Sequence, residues 1–299
     1  MNIFENIKQT FRQGNSLIKL IYINASVFLF LKLIIILLVL FNVPKEVGET
    51  IYSYLAIPAY PAELLRRAWT PITYMFLHEG FLHFFFNMLT LFWFGKLFLM
   101  YFSEKQLVGL YITGGLLASL FYVLAFNIFP YFSPLLQQSV LLGASGSIMA
   151  IIIATAIQSP NMEMQVLFLG NVKLKYIAVF FILTSFFGIT SNNGGGQLAH
   201  LGGALAGYLF IVSLRLGKDL TKGISSILDA IYNLFRPRKM RIRPNPNRRK
   251  APMSDAEFNA NKARKMAEID KILDKIKSSG YESLSTEEKK RLFEQGNKS

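Results

Sequence analysis

The residues that could do chemistry in this 299-residue chain lie far apart in sequence. His78, His83 and His200 are its only histidines. Ser145 stands in the run Gly143-Ala144-Ser145-Gly146, and Asn87 follows His83 by four residues. A neutral imidazole beside a serine hydroxyl can take its proton and make a nucleophile of a weak group. An attacked carbonyl then needs donors for its oxyanion. His83 and Asn87, at i and i+4, share a helix face, and a Ser145 N–H near a helix start has no acceptor within its helix. Between residues 80 and 218 the only carboxylates are Glu104 and Glu163, both in connections between apolar stretches. The pattern is therefore a Ser–His dyad, with Ser145 as nucleophile, His200 as base, and His83, Asn87 and the Ser145 N–H as an oxyanion hole.

A metal reading fails on spacing. His78-Glu79-Gly80-Phe81-Leu82-His83 is one residue longer than the zinc motif HExxH. Zinc-binding histidines at i and i+4 share a helix face, whereas i and i+5 diverge by about 140°. The chain has no cysteine, which removes thiolate ligands and cysteine nucleophiles. No metal and no cofactor is expected. Taken singly, a serine in an apolar helix usually bonds a carbonyl of the preceding turn, and a lone histidine at a helix end more often packs than reacts. Only the conjunction of the motifs outweighs these plainer readings.

The elements that must bring them together are apolar. The chain is 52% hydrophobic with 27 Phe and only 17% charged, against roughly 25% charged for a soluble domain. An ordinary soluble protein is excluded. Six stretches approach the roughly 20 apolar residues that cross a bilayer: 21–41, 81–101, 107–129, 140–158, 174–190 and 197–216. Lys32 inside the first must snorkel or face the bundle. With no small-residue cleavage site after it, that stretch reads as an uncleaved anchor. Lys105, Lys173 and Lys175 mark cytoplasmic connections, which puts both termini in the cytoplasm. Spans two, four and six then run in the same sense, so their first turns share one depth and carry His83, Ser145 and His200. Small faces let the helices close: Gly203 and Gly207 form a GxxxG, and Gly146, Ala150 and Ala154 recur every fourth residue. The Phe pairs at 180–181 and 186–187 read as lipid-facing bulk.

These residues resemble the signature of the rhomboid intramembrane serine proteases: His78, His83 and Asn87, then Gly143-Ala144-Ser145-Gly146, then Ala199-His200-Leu201-Gly202. The likeness covers about residues 20–216. It implies an all-α membrane protein, a six-transmembrane-helix bundle, cleaving peptide bonds in or near transmembrane segments of protein substrates. His78, Gly143, Gly146, Gly203 and Gly207 become supporting residues. The family often has Trp-Arg in its first loop; here Thr70 follows Trp69, and Arg66 and Arg67 precede it. Met149 stands where some relatives carry an aromatic residue.

The remaining organisation follows from composition. Residues 1–20 form a cytoplasmic segment and 21–216 the membrane body. Residues 217–252 give an amphipathic helix and a Pro-rich basic linker, suited to anionic lipid headgroups rather than nucleic acid because they abut the membrane. Residues 253–299 read as a helical hairpin with capping boxes at Ser254/Glu257 and Ser285/Glu288, marginal in length for an independent core and expected to dock elsewhere. It also resembles a short C-terminal domain of some bacterial rhomboids, which places the protein in a bacterial inner membrane. Two other functions compete: a catalytically inactive relative that binds membrane clients, and a small-solute transporter. The second would need ionisable groups near the midplane and an internal repeat; the sequence shows neither.

Overall fold

The computed structural model describes residues 14–166, 170–235 and 254–296. Most of the cytoplasmic segment 1–20, up to residue 13, and the basic linker 236–252 lie outside the described residues. The chain divides into two compact units, 1–236 and 237–299.

The first unit opens on α1 (Ser16–Leu40), which starts earlier than the apolar stretch at 21. Asn15 accepts from the Ile18 N–H, and the Glu104 carboxylate accepts from the Ser16 N–H and hydroxyl at 2.7 and 2.8 Å. Polar capping thus extends the helix beyond its hydrophobic run. The Lys32 ammonium donates to the Glu79 carbonyl at 2.6 Å, so this charge faces the fold.

Residues 42–80 are a chain of short elements: α2 (Lys45–Leu55), β1 (Ile57–Pro58), α3 (Pro61–Arg66), α4 (Thr70–Thr73) and a 3₁₀ turn at Tyr74–Phe76. Tyr74 donates to the Gly115 carbonyl and Tyr111 to the Met75 carbonyl, pinning this loop to the bundle. The bundle continues with α5 (Phe81–Phe98), α6 (Glu104–Ile128), β2 (Val140–Leu141), α7 (Ser145–Gln158), the antiparallel hairpin β3 (Glu163–Val166) and β4 (Gly170–Lys173), α8 (Leu174–Phe187) and α9 (Gly194–Arg215). Among the described residues four helices, α1, α5, α6 and α9, are long and apolar enough to cross a membrane; α7 and α8 are shorter apolar helices.

The stretch 140–158 is not one helix. Residues 140–141 pair antiparallel with Ile57–Pro58, and Gly143 at φ +128° breaks the chain before Ser145. The 14-residue α7 is thus about 21 Å long, short of a hydrocarbon core of about 30 Å. Its N-terminus falls inside the fold instead of at a surface. Every residue from Gly146 to Ala156 is buried, because small side chains let its neighbours press on its backbone. A Cβ on Gly203 would overlap the Gly146 carbonyl, one on Gly207 the Ala150 carbonyl, and one on Gly146 would meet the Ala118 methyl.

Next, α10 (Lys222–Phe235) leaves Ile227, Ile231 and Leu234 exposed and is tied to α6 by an ion pair of Lys105 with Asp229 at 2.6 Å. The second unit holds α11 (Asp255–Ser279) and α12 (Thr286–Gly296). Both expected capping boxes form, and Gly280 at φ +77° ends α11. Of the apolar stripe, Ile272 is buried, while Phe258, Met266 and Leu273 stay exposed.

Candidate active site

The first turns of α5, α7 and α9 meet at a cavity of about 400 Å³. Ser145 and His200 line it from α7 and α9, and His83 and Asn87 from α5. The Ser145 Oγ lies 2.9 Å from His200 Nε2. The other ring nitrogen, Nδ1, lies 3.2 Å from the Ser185 hydroxyl on α8. Asn193 caps α9 through the Gly196 N–H, fixing the helix start one turn before His200.

Gly143 is required twice over. Its φ lies where L side chains are strained, and the Gly143 N–H donates to the Tyr74 carbonyl at 2.9 Å. A Cβ there would come within 3.2 Å of His83 Cε1, 3.4 Å of His83 Nε2 and 3.7 Å of Ser145 Oγ. The missing side chain leaves open the space between the serine and the His83 ring. Ser145 also begins α7, so its N–H has no carbonyl four residues back within the helix.

Asn87 is arranged differently from a simple pairing with His83. One of its amide N–H bonds goes to the His83 carbonyl at 2.9 Å; an amide nitrogen carries two, so one remains for a ligand. His78 does not line the cavity. It lies behind His83, with ring centroids 5.4 Å apart in an edge arrangement, and stands at the same distance from Phe84. Residues 77–80 are not helical, so His78 and His83 form no helical metal pair. Among the described residues no group of three or more His, Cys, Asp or Glu side chains is placed to hold a metal.

His78 is almost wholly buried, and neither ring nitrogen reaches a hydrogen-bond partner among the described residues. Burial, and then the neighbouring His83, push its imidazole down to about 4. An unfolded histidine titrates near 6.5. The folded state therefore holds fewer protons between these values, and stability is full above pH 6.5 and falls as pH drops towards 4. The loss is about 3 kcal/mol. Thermal melting of the solubilised protein at pH 7 and pH 4.5 should show this, with a shallower loss in His78→Phe; equal losses in the two proteins would contradict it.

The Trp69–Thr70 sequence has a structural explanation. Trp69 Nε1 donates to the Tyr54 carbonyl at 2.9 Å, and Arg67 donates to the neighbouring Ser53 carbonyl at 3.1 Å. Arg67 also stacks over the Tyr54 ring and pairs with Glu63. The indole and guanidinium thus both clamp the end of α2, with the arginine supplied from before the tryptophan. Met149 is buried and lines the cavity beside Ile148 and Ile152. Sequence reasoning missed Ser185. Its signal was a hydroxyl pair, Thr184-Ser185, among the phenylalanines of α8, and periodicity alone cannot place Ser185 opposite His200.

A helical membrane bundle with a serine at one helix start joined to a histidine on another helix defines a class, and the comparisons agree with it. A family model, the Rhomboid domain, matches residues 65–216, just over half of the chain. The chain belongs to the rhomboid family and is an integral membrane protein. A second model, a family of unknown function (DUF6576), matches residues 254–298. No curated protein matches the chain.

Proposed function

We propose that this protein is an intramembrane serine endopeptidase that cleaves membrane-protein substrates in or near their transmembrane segments. The observation that carries the reading is the 2.9 Å contact of Ser145 Oγ with His200 Nε2 at the cavity. Ser145 gives its proton to Nε2 as its oxygen attacks the scissile carbonyl carbon. The developing oxyanion is met by the Ser145 N–H, His83 and the free amide N–H of Asn87, with the positive end of α7 adding to their field. When the C–N bond breaks, His200 returns the proton to the leaving amine. Water, deprotonated by the same nitrogen, then hydrolyses the acyl-enzyme. No step needs a cofactor. The apolar lining from Phe86, Ile148, Met149, Ile152 and Phe181 suits an apolar segment unwound from a membrane helix.

Both termini then lie in the cytoplasm, because Lys105 in the first turn of α6, Lys173 at the end of β4 and Lys175 in the first turn of α8 flank the connections between spans two and three and between spans four and five. The likeness of residues 253–299 to a C-terminal domain of some bacterial rhomboids supports a bacterial inner membrane. The exposed apolar residues of α10 then rest on the inner leaflet, with the basic linker 236–252 against anionic headgroups. Incubating the purified full chain with single-span substrates, and reading product masses, tests the activity; chelators should leave it unchanged. His83→Ala and Asn87→Ala should each slow single-turnover cleavage by about 10²-fold, the effect of losing one preformed donor. Unchanged rates in both would remove the proposed oxyanion hole.

A further inference from the structure

We propose that Ser185 is a positioning residue for His200, accepting a hydrogen bond from Nδ1–H and so keeping Nε2 free to accept from Ser145. This rests on the protease reading for its catalytic meaning and on geometry for its substance. Ser185 is 1% exposed, on a helix whose only other buried residues are Leu174 and Ala178. Its neighbours Phe186 and Phe187 are 58% and 75% exposed. Ser185 thus faces inward from a largely exposed helix, and the polar group it meets there is His200 Nδ1 at 3.2 Å.

The consequence is a tautomer choice. A neutral imidazole carries one proton, on Nδ1 or on Nε2. If it sat on Nε2, the base could not receive the Ser145 proton. A hydroxyl can donate or accept, but only as an acceptor at Nδ1 does Ser185 stay satisfied when His200 becomes doubly protonated during attack, because Nδ1–H then persists in both states; in that role it holds the reactive tautomer. A third group that orients the base generalises the logic of nucleophile–base pairs. Here a neutral hydroxyl fills that place, beside a cavity whose lining, among the described residues, holds no carboxylate. It also links the reactivity of His200 to the seating of α8, since a helix shift that withdraws Ser185 releases the ring.

The chain has three histidines, so the test can be spectroscopic. In ¹⁵N-imidazole spectra of the full-length protein in lipid nanodiscs at pH 8, assigned with single-histidine substitutions, His200 should show protonated Nδ1 and unprotonated Nε2. Ser185→Ala and Ser185→Val should mix the tautomers, and Ser185→Thr, which keeps the hydroxyl, should restore the native pattern. In cleavage assays Ala and Val should lower kcat by about 10- to 100-fold, the effect of leaving a buried N–H unpaired. KM should not change, and Thr should recover most of the rate. A His200 protonated on Nε2, spectra that ignore Ser185→Ala, or equal kcat loss in Thr and Val would overturn the assignment. A wild-type protein that cleaves nothing, yet whose His200 spectrum still responds to Ser185, would remove the protease reading and keep this one.

Discussion

Ser145→Ala is expected to lower cleavage of a single-span substrate by about 10⁴-fold or more, the scale seen when the nucleophile of a serine protease is removed. No other hydroxyl among the described residues sits within hydrogen-bonding distance of His200 Nε2. The fold should survive, because the side chain is small and only half-buried. The melting temperature of the solubilised variant should stay near that of the native protein. His200→Ala should reduce the rate about as far, and the double variant little further, since two groups acting as one unit are not additive. Product formation under single-turnover conditions reads all three. A Ser145→Ala protein that turns over at a tenth of the native rate would sink the dyad.

The second large effect belongs to a residue with no side chain. Gly143→Ala should slow cleavage by about 10³-fold, the upper end of the loss of one oxyanion donor. The new methyl group would stand 3.2 Å from His83 Cε1 and 3.7 Å from Ser145 Oγ, in the space an oxyanion would occupy. Adopting φ +128° would also strain the loop by about 1–3 kcal/mol. The two effects separate by measurement: strain lowers the melting temperature, while blocking lowers kcat in protein that remains folded. A folded Gly143→Ala enzyme with native kcat would show that the space beside His83 is not where the oxyanion forms.

Much of this was legible in the sequence because it depends on apolar length and on small residues. The helices at 81–98 and 104–128 match their hydrophobic runs to within three residues, and the spacing of Gly203 and Gly207 anticipated the close approach to α7. The meeting of His83, Ser145 and His200 followed from counting spans. The start of α7 was not legible, since hydropathy continues smoothly through Val140–Leu142. Only the strand pairing with Ile57–Pro58 and the positive φ of Gly143 show where the helix must begin. The helices of the first loop were hidden for a related reason: they are short, held by contacts such as Tyr111 to Met75 rather than by periodicity. Ser185 escaped because a hydroxyl in a span is ordinary until its partner is known.

The most direct test of the central claim is covalent. Full-length protein in detergent is treated with a fluorophosphonate, digested, and searched by mass spectrometry for modified serines, beside Ser145→Ala and His200→Ala proteins. A serine activated by His200 should carry the adduct at Ser145 alone, with labelling absent from the Ser145→Ala protein and strongly reduced in the His200→Ala protein. An unmodified Ser145 in folded native protein, or labelling that is indifferent to His200, would contradict the account and favour a family member that binds membrane clients without cutting them.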